Sequence, residues 1–97
     1  MRFKQLNFVN TTVPKGIKAF VKYGKYDLSI IKNEMSYGND KELYEIAVYK
    51  GKDQVELPGI TENGDTVKGF LSEKEVEGIM LKLHAVTGND GVNNEWS

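Results

Sequence analysis

The chain contains no cysteine, two prolines and a single histidine. Without thiols there can be no disulfide framework and no thiolate metal site, which accords with a reducing compartment. No apolar run approaches the roughly 20 residues of a transmembrane helix, and no signal-peptide h-region opens the chain. A cytoplasmic protein with no membrane partner is therefore expected. Net charge is scarce as well: 13 Lys and Arg stand against 14 Asp and Glu, too balanced for a protein that coats nucleic acid by charge alone. The balance hides a polarity. Residues 1–50 hold nine Lys or Arg and five Asp or Glu, against four and nine in residues 51–97, so the halves differ by sign.

Convergent reactive groups are equally sparse. His84 has no paired nucleophile in its sequence neighbourhood, and none of the four serines sits in a nucleophile elbow. No glycine-rich loop has the spacing of a phosphate cradle. Glu62, Asp65 and Asp90 lie in Asn/Gly turns, where local backbone bonds are their common use. Asn89-Asp90-Gly91 is too thin a run of oxygens for a calcium loop. The expectation is a non-enzymatic protein with no cofactor and no metal.

Ninety-seven residues make one domain with a modest core. The most decided stretch is 71–88. Ser72 and Glu75 have capping-box spacing, Glu73 and Glu77 add negative charge to the first turn, and Gly88 supplies a C-terminal stop. Val76, Ile79, Met80, Leu83 and Val86 (or Thr87) recur as one apolar stripe. Gly78 is the flaw in this helix, at about 1 kcal/mol relative to Ala unless something packs close to it.

Everything before the helix reads as sheet. Residues 2–8 alternate polar and apolar as a first, edge-type strand, and 9–16 reads as a loop around Pro14 and Gly16. Residues 17–23 and 26–32 flank Gly24-Lys25, a pair suited to a II′ turn. That register sets Tyr23 opposite Tyr26, Val21 opposite Leu28 and Ala19 opposite Ile30 on one face. On the other face Lys22 meets Asp27 and Phe20 meets Ser29. Residues 43–50 follow as a long strand with Tyr44, Ile46 and Val48 inward, then a short strand at 54–57 and an extended lead-in at 66–70. The predicted architecture is α+β: an antiparallel meander of four to five strands covered on one face by a single C-terminal helix. The domain spans 1–88, followed by a flexible tail at 89–97.

Two surfaces invite a functional reading. Phe20, Tyr37, Tyr49 and Trp96 exceed what one small core absorbs, and exposed aromatics are enriched at protein interfaces. The plainer account is a thin sheet covering its open face with tyrosine. Lys18, Phe20 and Lys22 share the outer face of the hairpin with Lys25 at its tip, combining lysine for phosphates with an aromatic for base stacking. The plainer account here is a solvated face whose lysines deter edge pairing. Asp27 and Glu45 dilute the patch. An edge strand, the first or the short fourth, could also pair with a second copy to form a homodimer. A small molecule held between sheet and helix is a third alternative.

The runs Tyr26-Asp27-Leu28-Ser29-Ile30-Ile31, Tyr37-Gly38-Asn39 and Leu43-Tyr44-Glu45-Ile46-Ala47-Val48-Tyr49 carry a resemblance. With Gly64-Asp65-Thr66-Val67-Lys68-Gly69-Phe70-Leu71-Ser72, they resemble small early-region proteins of phages and prophages of Gram-positive bacteria. The likeness covers residues 17–88 and brings no assigned site residues. It implies an intracellular protein made in an infected host, acting by binding and occluding a host or defence protein.

Overall fold

The computed structural model describes residues 1–94. Seven strands form one antiparallel sheet: β1 (Val9–Thr12), β2 (Lys15–Tyr23), β3 (Tyr26–Asn33), β4 (Tyr44–Lys50), β5 (Asp53–Gln54), β6 (Val67–Leu71) and β7 (Val92–Asn94). The order is β1-β2-β3-β4-β5, with β6 also on β4 and β7 also on β2. A single helix, α1 (Glu73–Thr87), packs on one face. The α+β plan is as expected; the sheet reaches seven strands because the lead-in to the helix pairs as β6 and residues 92–94 pair as β7, while the short strand expected at 54–57 is only Asp53–Gln54.

The hairpin β2–β3 has the expected register throughout, Tyr23 facing Tyr26, Val21 facing Leu28 and Ala19 facing Ile30. Gly24 takes φ 60 at the first turn position while Lys25 keeps a negative φ, as a II′ turn needs. Val21, Tyr23, Leu28, Ile30, Ile46 and Val48 are buried on the inner face, against Val76, Ile79, Met80 and Leu83 of α1. Each contributes about 1.5–3 kcal/mol when fully buried. At the helix start, Ser72 Oγ accepts from Glu75 N at 3.1 Å and Glu75 Oε1 accepts from Ser72 N at 3.0 Å. Gly88 closes the helix at φ 70, its N–H donating to His84 O. Val86 leaves the expected stripe and is exposed, while Thr87 is half-buried, its hydroxyl donating to Leu83 O.

Three segments depart from expectation. Residues 2–8 do not form an edge strand: Phe3–Gln5 is a 3₁₀ turn docked on α1. Glu77 accounts for the difference, because its carboxylate accepts from Phe3 N at 3.0 Å and from the Arg2 guanidinium at 3.1 and 3.3 Å. Phe3 and Phe8 then cluster with Tyr44, at centroid separations of 5.3 to 5.8 Å. The first strand instead falls within 9–16, where Pro14 stands in the turn between β1 and β2 and so costs no ladder bond. Residues 92–94, expected in the flexible tail, pair with the middle of β2, Val92 facing Lys22 and Asn94 facing Phe20. Gly91 permits this, since a Cβ there would lie 2.7 Å from both Val21 Cγ1 and the Tyr23 ring.

Candidate partner-binding surface

The face of the sheet turned away from α1 carries the candidate residues. Strand alternation places Lys18, Phe20 and Lys22 of β2, Asp27, Ser29 and Ile31 of β3, and Glu45, Ala47 and Tyr49 of β4 on it. Phe20 and Tyr49 come together there, ring centroids 6.2 Å apart at 50°. Two of the expected partner-binding residues are thus neighbours. Tyr37 lies apart from them, and Trp96 lies outside the described residues.

The lysines share that face as expected, but not as a basic field. Lys22 stands opposite Asp27, and Lys18 opposite Ile31, whose next cross-strand neighbour is Glu45. Lys25 stands at the hairpin tip as expected, its ammonium 5.5 Å from the centre of the Tyr26 ring. Positive and negative groups therefore alternate across the sheet, which weakens attraction to a phosphate backbone.

Tyr37 belongs to a second aromatic pair that sequence reasoning did not foresee. It stacks on Phe70, with centroids 6.4 Å apart and planes 22° from parallel. Both remain open, Tyr37 at 62% and Phe70 at 55% exposure. The 33–43 loop is held in place by its own polar groups and by Glu45 of β4. Asn33 N donates to Ser36 Oγ, Met35 N to Asn33 Oδ1, and Tyr37 N to Glu45 Oε1, each at 2.9 Å. Gly38 (φ 95) and Gly69 let the loop and β6 approach closely: a Cβ on Gly69 would fall 2.5 Å from Tyr37 Cβ. Phe70 N then donates to Tyr37 O at 3.3 Å.

The pairing of β4 with β6 carries one extra residue on β6, Tyr44 facing Leu71 and Ile46 facing Lys68. This bulge is where Phe70 takes φ 58, the left-handed conformation normally left to glycine. For a bulky L-residue it costs roughly 1–2 kcal/mol. The consequence is an aromatic ring turned outward from an otherwise paired strand. Tyr37, Phe70, Val67, Glu62, Asp65 and Lys68 line a shallow depression of ≈ 370 Å³ beside it. Val67 faces Ala47, Ala47 faces Ser29 and Ser29 faces Phe20. One cross-strand row therefore links the two aromatic pairs.

His84 is half-exposed in the last turn of α1, with Nδ1 3.5 Å from Asp90 Oδ1. Among the described residues no three His, Asp or Glu side chains gather as a metal ion would need, and no helix is long and apolar enough to cross a membrane. A groove of ≈ 640 Å³ lies between the 6–9 segment, β2 and β7, with Lys18, Phe20 and Asn94 among its walls. Comparison with family models, curated proteins and solved structures finds no match for this chain.

Proposed function

We propose that this chain is a non-enzymatic protein-binding module that acts by seating on another protein and covering it, with Tyr37 and Phe70 as anchors. The observation that carries the reading is Phe70 itself. A strained left-handed backbone holds a large ring in solvent, stacked on a second exposed ring. Strain of this kind concentrates where a fold gives up stability for contact with something else. Stacked, rigid aromatics are the side chains that dominate binding energy at interfaces. Glu62 and Asp65 at the depression suit a partner surface that mixes apolar and basic groups. In the setting implied by the resemblance to phage early-region proteins, the partner is a host or defence protein in the bacterial cytoplasm.

The test is affinity capture from bacterial lysate by the tagged chain, with and without nuclease and at low and high salt. One protein retained through nuclease and salt by the native chain, and lost with Tyr37→Ala or Phe70→Gly, supports the module reading. Recovery that vanishes with nuclease or salt, and weakens with Lys18→Ala/Lys22→Ala, transfers the function to single-stranded nucleic acid at the Phe20–Tyr49 face.

A further inference from the structure

Residues 5–14, between Lys4 and Lys15, form the longest stretch without a charged side chain in the chain. This stretch contains β1, the end strand of the five-strand path. Natural sheets guard such edges with lysine, bulges or covering loops. The edge of β6 is guarded in that way: it bulges, Val67 O accepts from Glu62 N, and Phe70 N is bound to Tyr37 O. β1 carries no charge and no bulge, and Val9 and Val13 are 51% and 92% exposed.

The direction of its main-chain groups follows from its neighbours. Lys15 O accepts from Glu34 N at 3.1 Å and Lys15 N donates to Glu34 Oε1, so the main chain of Lys15 faces β3. Antiparallel alternation turns Gly16 and Lys18 toward β1, and their partners Thr11 and Val9 toward β2. Asn10 and Thr12 accordingly direct their N–H and C=O groups away from the sheet.

We propose that β1 pairs antiparallel with β1 of a second copy, on a two-fold axis through Thr11. Val9-Asn10-Thr11-Thr12-Val13 is close to its own reverse, which selects a second copy over an unrelated strand. With Thr11 opposite Thr11, Asn10 meets Thr12 of the second copy, and the outward-facing groups of both residues bond reciprocally. Val9 meets Val13 of the second copy, which removes both exposed valines from water. Thr11 forms the closely spaced pair at the axis, a favourable threonine match. Pro14, with no N–H, ends the ladder where the turn begins. A contact of this size lies below the roughly 1,200 Å² of stable complexes, so the dimer is weak and reversible. It stands independently of the partner-binding reading.

The absence of native cysteine makes the register directly testable. Thr11→Cys should form a disulfide-linked dimer under mild oxidation, because the axis places it opposite itself. Val13→Cys is the more exposed position and should link to itself poorly, yet link readily when mixed with Val9→Cys. Sedimentation should show the native chain dimerising with rising concentration. Asn10→Pro, which removes an outward N–H without breaking a bond to β2, should weaken that dimer by about tenfold or more. Val13→Cys linking as fast as Thr11→Cys, or a native chain that stays monomeric to millimolar concentration, overturns the proposal.

Discussion

At the scale of the residue, two side chains hold a conformation or a polar group at a cost to stability. Phe70 is left-handed and exposed. Phe70→Gly should leave the protein as stable as before or more so, since glycine accepts φ 58 without penalty and the ring lost was only part-buried. Phe70→Val, β-branched at the same φ, should lower stability by about 1–2 kcal/mol. Urea unfolding of the pair checks both signs. Tyr23 is the second case. Its ring is fully buried, and its hydroxyl is buried without a hydrogen-bond partner. Burial first, and then the nearby Asp90 carboxylate, push its pKa up to about 12 from an ordinary 10.0. The folded state therefore keeps this proton where the unfolded chain has released it. Its contribution is fully present below the ordinary tyrosine pKa and is lost as pH rises through the folded value. Alkaline unfolding between pH 10 and 12 should be milder in Tyr23→Phe. That variant should also match or exceed the native stability near neutrality, because it removes an unsatisfied buried hydroxyl. An equal alkaline profile in the two proteins would contradict this assignment.

At the scale of the element, the parts governed by local chemistry were readable from sequence and the parts governed by distant neighbours were not. The β2–β3 register follows from Gly24 and from the alternation around it, and α1 from Ser72, Glu75 and Gly88; all lie within a few residues of what they specify. The N-terminal turn and β7 depend on partners far along the chain: Glu77 for Arg2 and Phe3, and β2 for residues 92–94. An alternating pattern at 2–8 cannot reveal that a carboxylate on α1 will claim its backbone. The Tyr37–Phe70 pair was half legible. Tyr37 stood out as an aromatic beyond the core, but the neighbouring Gly69 hid the left-handed turn at Phe70. Gly69 is needed to admit the Tyr37 Cβ, and the positive φ falls one residue later. Gly78, within the helix, and Gly91, beyond it, behave in opposite ways. Nothing lies within 4 Å of a Cβ built on Gly78, so no close packing offsets its cost in the helix. Gly78→Ala should stabilise the protein by about 1 kcal/mol, seen as a rise in Tm of roughly 4–8 °C. Gly91→Ala should do the reverse, costing about 1–3 kcal/mol through overlap with Tyr23 and Val21. Amide exchange should then show β7 released from β2 while α1 stays protected.

At the scale of the whole molecule, the sheet has one face devoted to the core and a second face of mixed charge and aromatic character. The inner face is apolar and covered by α1, with the 3₁₀ turn docked beside it. The outer face alternates charge, carries Phe20 with Tyr49, and ends at the stacked Tyr37 and Phe70. Its near-neutral pattern accords with the proposed protein partner better than with a phosphate backbone, and the uncharged β1 edge is the proposed route to self-association. The central claim is that Phe70 keeps its strain for the sake of a partner. The decisive measurement takes stability and partner capture from the same Phe70→Gly preparation, beside the native chain. The account predicts equal or higher stability together with loss of the salt- and nuclease-resistant partner. A Phe70→Gly protein that is equally stable and captures that partner undiminished would contradict it.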